Sequence, residues 1–92
     1  MYKLFFTTRM KRDLKLMQKR GKNLKKLEDI LDKLLSGETL PAQNKDHQLK
    51  GEMKDYRECH IEPDWLLVYR IEESELILYA TATGTHADLF NL

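Results

Sequence analysis

The apolar positions of this chain change their period about halfway along it. Residues 2–6, Tyr-Lys-Leu-Phe-Phe, form a short aromatic-rich run that predicts a strand. Thr7 or Thr8 then stands where a helix N-cap is expected. Met10, Leu14 and Met17 follow at near-helical spacing with Lys and Arg between them, and Gly21 ends that helix. Asn23 is placed to cap a second helix. Along it, Leu24, Leu27, Ile30, Leu31, Leu34 and Leu35 make a stripe at i, i+3, i+4, i+7 spacing. Ser36-Gly37 stops the stripe. Two helices joined by a tight turn make a helical hairpin.

Residues 37–54 are polar and contain Gly37, Pro41 and Gly51. They predict a long loop with a short extended piece near Leu49, and loops of this length in a compact domain are often functional. From Tyr56 onward the period becomes two. Residues 56–61 predict a strand and Pro63-Asp64 a turn. Residues 65–71 are apolar except for Arg70, the pattern of a central buried strand. Glu72-Glu73-Ser74 is a hairpin turn, and residues 76–81 predict another strand. Gly84 breaks the pattern, and Leu89-Phe90 is an apolar end expected to fold back on the body. The predicted order is β-α-α-β-β-β. This is an α+β fold with a helical hairpin packed on one face of a small twisted, mainly antiparallel sheet. Residues 1–92 are expected to form one domain.

Composition narrows the function classes. One cysteine excludes an internal disulfide and fits a reducing cytosol. No apolar run approaches the ~20 residues of a membrane helix, and the N-terminal apolar stretch is too short for a signal peptide. A cytoplasmic protein without a membrane partner is therefore expected. The net charge of +1 hides a strong polarity. Residues 1–37 hold 11 Lys+Arg and 4 Asp+Glu, a net of +7, whereas residues 38–92 hold 5 and 11, a net of −6. The basic helical half, with Lys11, Arg12, Lys15, Lys19, Lys22, Lys25 and Lys26, carries the electrostatic footprint of nucleic-acid binding. Its alternative is a merely solvated helix surface.

All three histidines fall in polar blocks around the apolar hairpin: Lys45-Asp46-His47, the segment 58–65 with His60, and the segment 83–90 with His86. Imidazole is the side chain best suited to move protons near neutral pH. Alternation along 56–62 places Tyr56, Glu58, His60 and Glu62 on one face and Arg57, Cys59 and Ile61 on the other. Cys59 reads as a small buried hydrophobe. His60 is then expected on the open face with a carboxylate on either side. His86, at the end of the last strand, and His47, from the long loop, can reach the same face. Each taken singly is more simply a surface or capping residue. No HxxxH or CxxC spacing marks a metal site, and no metal or cofactor is expected. Asp64 is a turn former or a proton-transfer group. Trp65 and Phe90 are either core anchors or platforms for stacking a base.

Three ordered blocks carry a more specific signal: Lys45-Asp46-His47-x-Leu49-x-Gly51, the run from Arg57 to Tyr69, and Thr83-Gly84-Thr85-His86-x-x-Leu89-Phe90. Together they resemble the YafQ branch of the RelE/ParE toxin superfamily, and the predicted element order agrees. The resemblance implies a bacterial type II toxin that cuts messenger RNA in the ribosomal A site. It further implies neutralisation by a cognate antitoxin, with a monomeric free toxin and a heterotetramer or larger assembly in the complex. By motif position it implies His47, His60, Asp64 and His86 for catalysis, with Phe90 near the substrate and Glu58 as a further acid. His86 is the expected general acid and His60 or Asp64 the base, with His47 aiding binding. Relatives tend to carry an arginine just before the Thr-Gly-Thr-His block, where this chain has Ala82. An arginine there is the natural phosphate clamp. Either Arg57 or Arg70 substitutes for it, or the activity is weakened. Two other classes remain open: a ParE-like toxin acting on a protein target, and a non-catalytic binding module that uses the helical hairpin.

Overall fold

The computed structural model describes residues 1–90. Its elements are β1 (Lys3–Phe6), α1 (Thr8–Lys19), α2 (Leu24–Leu35), β2 (His47–Gln48), β3 (Arg57–Glu62), β4 (Trp65–Glu72), β5 (Ile77–Gly84) and α3 (His86–Phe90). One five-stranded sheet has the order β1-β5-β4-β3-β2. β1 runs parallel to β5, and every other neighbour is antiparallel. The α+β class and the helical hairpin on a mainly antiparallel sheet are as the periodicity predicts.

Local chemistry sets the hairpin. Thr7 caps α1: its Oγ1 accepts from the Met10 N–H at 3.0 Å and donates to the Thr81 carbonyl at 2.7 Å, so the cap is also tied to β5. Gly21, at φ +78°, lets the N–H groups of Gly21 and Lys22 return to the Gln18 and Met17 carbonyls. Asn23 caps α2 through the Lys25 N–H at 3.0 Å. The apolar stripes of both helices, Met10 and Met17 with Leu27, Ile30, Leu31 and Leu34, pack with Cys59, Trp65, Leu67, Tyr69, Leu78 and Ala80 of the sheet. Burying a side chain such as Leu67 or Leu78 contributes about 1.5–3 kcal/mol.

Two irregularities decide which side chains reach which face. In β3, His60 pairs with Leu66 but Glu62 pairs with Trp65, so Ile61 is an extra residue. In β5, Ala82 pairs with Val68 but Ala80 pairs with Tyr69, so Thr81 is extra. The register thus aligns His47, Glu58, Val68 and Ala82 in one row and His60, Leu66 and Gly84 in the next, on the face away from the helices.

The structure departs from the periodicity at three places. β5 runs on to Gly84, because Ala80, Ala82 and Thr83 pair with β4 although they lack the bulk that makes a strand visible in sequence. Leu76 lies outside the strand, exposed in the turn with φ +54°. The C-terminal apolar end is the short helix α3.

Candidate active site

The outer sheet face gathers the three histidines around one carboxylate. Glu58, on β3, is buried with a side-chain exposure of 7%. Its Oε1 lies 3.7 Å from His60 Nε2 and 3.8 Å from His47 Nε2. These distances are just beyond a direct hydrogen bond, and a small shift or one water closes them. His47 comes from β2, the extended piece of the loop, and its Nδ1 lies 2.7 Å from the Lys45 carbonyl. A carbonyl only accepts, so Nδ1 carries the proton and Nε2 faces Glu58. The Lys45 backbone is left-handed, at φ 47°, and this turns the chain so that His47 enters the sheet.

His86 opens α3. Its ring lies edge to face with that of His60, centroids 5.6 Å apart. Asp64, in the β3–β4 turn, takes both the backbone N–H of His86 at 3.0 Å and its Nδ1 at 2.7 Å on the same Oδ1. These two donors hold the Asp64 carboxyl below the usual carboxylate range. With Nδ1 engaged, Nε2 of His86 is the nitrogen left for chemistry. A cleft of ≈ 380 Å³ opens beside His60, with Lys26 and Lys45 among its lining residues.

Several expectations need correction. Glu62 does not flank His60: the Ile61 bulge turns it to the helix face, where it binds Lys26 at 2.8 Å and Lys22 at 3.3 Å. Lys26 is the chief reason that its carboxyl lies below the ordinary range. Arg57 alternates with Glu58 and therefore points away from the histidines, to Asp46 at 3.4 Å. It is not a phosphate ligand of this site. Arg70 is on the outer face but stacks over Tyr79 at 4.3 Å, in register with Tyr79 rather than Ala82. Trp65 offers no stacking surface. It is wholly buried, and its Nε1 donates to Thr83 Oγ1 at 2.9 Å. Ala82 lies on the histidine face as expected, yet it is 4% exposed and does not border an open groove. Phe90 is half-buried at the end of α3. Cys59 is the buried hydrophobe expected, its thiol pushed up to about 12 by burial.

Four supporting residues carry no signal in sequence, since each acts across the fold. Buried Asn44 donates to the His60 carbonyl at 2.7 Å and fixes the bulge. Asp13 of α1 accepts the Thr83 N–H at 3.1 Å. Asp88 and Arg20 form a two-pronged pair at 2.6 and 3.2 Å. Glu58, His60 and His86 each present a ligand atom within 4.8 Å of the others, a spacing that could hold a metal ion. They come from separate elements, so no local spacing announces it. Of the basic set, Lys11, Arg12, Lys15 and Lys19 are exposed on α1 without an ion pair among the described residues. Lys25 pairs with Asp29 and Glu28.

Histidines and carboxylates that converge on the open sheet face of a small α+β domain are groups chemically able to transfer protons. Comparison with known proteins makes this specific. The model of a family described as the bacterial toxin of type II toxin–antitoxin systems, YafQ, matches residues 2–91. The mRNA interferase toxin YafQ of Escherichia coli K12 is 45% identical over 80 residues, 86% of this chain and 85% of that protein. The chain belongs to the YafQ toxin family. In the crystal structure of the E. coli DinJ–YafQ complex, the similar chain superposes with TM-score 0.89 at 38% identity, covering 98% of this chain and 99% of that one. A metal-bound toxin from Helicobacter pylori superposes with TM-score 0.92 at 40% identity, covering 98% and 100%.

Proposed function

We infer that this chain is an endoribonuclease toxin that cuts messenger RNA on the ribosome by metal-independent acid–base catalysis. The observation that carries the reading is the His60–His86 pair, with Glu58 behind one ring and Asp64 behind the other. His60, backed by Glu58, takes the proton of the ribose 2′-hydroxyl. The 2′-oxygen attacks phosphorus, and the bond to the 5′-oxygen breaks. His86 Nε2 gives its proton to that leaving oxygen, which leaves a 2′,3′-cyclic phosphate on the upstream fragment. Asp64 is assigned to orienting His86 rather than to the base role, because its Oδ1 is committed to that residue. His47 and Lys45 border the path of the strand. Ala82 supplies no charge, so the phosphorane is stabilised less than in a relative with arginine there, and activity is weakened to that extent.

The exposed basic face of α1 is assigned to ribosomal RNA phosphates, with the A site as the expected position of the bound toxin. By analogy with the DinJ–YafQ complex, a cognate antitoxin is the expected protein partner, in the cytoplasm. Glu58, His60 and His86 could hold a metal ion, but these are the proton-transfer groups themselves. An ion bound there takes the lone pairs the reaction uses. The deciding experiment is cleavage of a defined message on purified programmed ribosomes. Cyclic-phosphate ends dependent on His60 and His86 support the reading. Intact message with inhibited gyrase favours the ParE-like alternative, and growth arrest that survives both alanine substitutions favours a binding module.

A further inference from the structure

The helix that carries His86 has no buried residue. A single helical turn is not stable by itself, and half-buried Leu89 and Phe90 supply only part of what holds this one. The rest comes from a polar arrangement centred on Asp88. Thr85 and Asp88 cap one another: the Thr85 N–H donates to Asp88 Oδ2 at 2.9 Å, and the Asp88 N–H donates to Thr85 Oγ1 at 3.1 Å. The Asp88 side chain lies against Gly84, where an added Cβ would come within 2.8 Å of Asp88 Cβ. Glycine is what lets the carboxylate sit there. The same carboxylate then receives both arms of Arg20, Nη1 at 2.6 Å and Nη2 at 3.2 Å. Arg20 closes the C-terminal end of α1, itself packed into the core through Met10 and Met17.

We propose that Arg20 and Asp88 form a clamp that positions His86, so that Arg20 is a positioning residue for proton transfer although it touches no reacting atom. The clamp carries the rigidity of α1 to the first turn of α3. A planar guanidinium on a carboxylate fixes direction as well as distance. The Asp64 bond fixes the ring at one nitrogen, and the clamp fixes the backbone that bears it. The proposal rests on His86 acting as general acid.

The test uses the full chain with R20Q, D88N, the double variant and R20K. Amide hydrogen exchange at Thr85, His86, Asp88 and Leu89 is read in the free protein. Single-turnover cleavage and ribosome affinity are read separately. R20Q and D88N are expected to raise exchange at these amides at least tenfold. They should lower the single-turnover rate about 10- to 100-fold, the scale of a misplaced catalytic group, with affinity within twofold. The double variant should be no worse than D88N, and R20K, which keeps the charge but loses the fork, should fall short of the parent. Unchanged exchange in R20Q overturns the clamp. So do additive losses, which would mean that Arg20 acts on RNA independently of Asp88. Exchange that rises as expected while H86A cleaves normally would instead remove the general-acid reading and leave the clamp standing.

Discussion

His60 and His86 meet edge to face with ring planes at 63°, one carried by the third strand and the other by the last helix. Each has its own carboxylate, Glu58 for His60 and Asp64 for His86. Two imidazoles so arranged can serve the two oxygens that change their bonding at one phosphorus. Alanine at either position should lower the single-turnover rate about 10²–10⁴-fold, and the double substitution should cost little more than the worse single one. Asp64→Asn keeps an acceptor but loses the charge, and should lower the rate less than His86→Ala. Rapid-quench cleavage of ribosome-bound message measures all four. A double variant whose loss is the product of the singles would show that the two rings do not act in one step.

The restored cation at position 82 should act in two directions. Ala82→Arg places a guanidinium in the row of Glu58 and Val68, and losing one such stabiliser commonly costs about 10²–10³-fold. Cleavage should therefore rise. Ala82 is 4% exposed, so the larger side chain must displace its neighbours, at about 1–3 kcal/mol. A lower Tm together with a faster single turnover is the expected outcome. An equal rate would mean that Lys45, or the ribosome, already supplies the charge.

The basic residues of the helical hairpin divide into those exposed without an ion pair among the described residues and those paired internally. Charge reversal at Lys11, Lys15 and Lys19 should weaken ribosome binding and flatten its salt dependence, because fewer counterions are released. Reversal at Lys26 should instead disturb Glu62, its partner at 2.8 Å, with a smaller change in salt slope. Binding titrations between low and physiological salt read both.

Much of this was legible in the chain, and what was not failed for physical reasons. The leucine stripe of α2, Asn23 and the apolar run of β4 state their roles locally, and the helices and central strand follow from them. The histidine blocks and the family resemblance point to the right sheet face. The Ile61 bulge is invisible, since nothing in Cys-His-Ile-Glu-Pro says that alternation fails between His60 and Glu62. Simple alternation therefore puts Glu62 beside His60, whereas it pairs with Lys22 and Lys26. The charge of Arg57 suits a phosphate, but its alternation with Glu58 turns it to Asp46 on the other face. Asn44, Arg20 and Asp88 act only through partners far along the chain, where periodicity carries no information.

Acid should erode the stability that Asp88 contributes through the helix bearing His86. Arg20, and after it the Thr85 N–H, hold the Asp88 carboxyl well below the ordinary carboxylate range. A group depressed in the folded state stabilises it fully above its unfolded pKa, about 4, and this is lost as the pH falls through the lowered value. The Tm difference between the parent and D88N should therefore be constant near neutrality and shrink as the pH drops below about 4. Thermal melts across that range measure it. A difference that stays constant at low pH would contradict the depressed carboxyl.

Metal should be dispensable and inhibitory. Chelation is expected to leave single-turnover cleavage unchanged, whereas added zinc or copper should slow it by occupying Glu58, His60 and His86. Loss of activity on chelation, restored by one metal, would overturn the acid–base assignment.

The parallel pairing of β1 with β5 has a consequence for synthesis. The first strand waits, unpaired at that edge, until the last one has been made, and His86 emerges later still. Half-made chains carry the basic helices but no complete reaction centre. The paired edge and the His60–His86 contact are thus both completed only by residues that follow β4 in the chain.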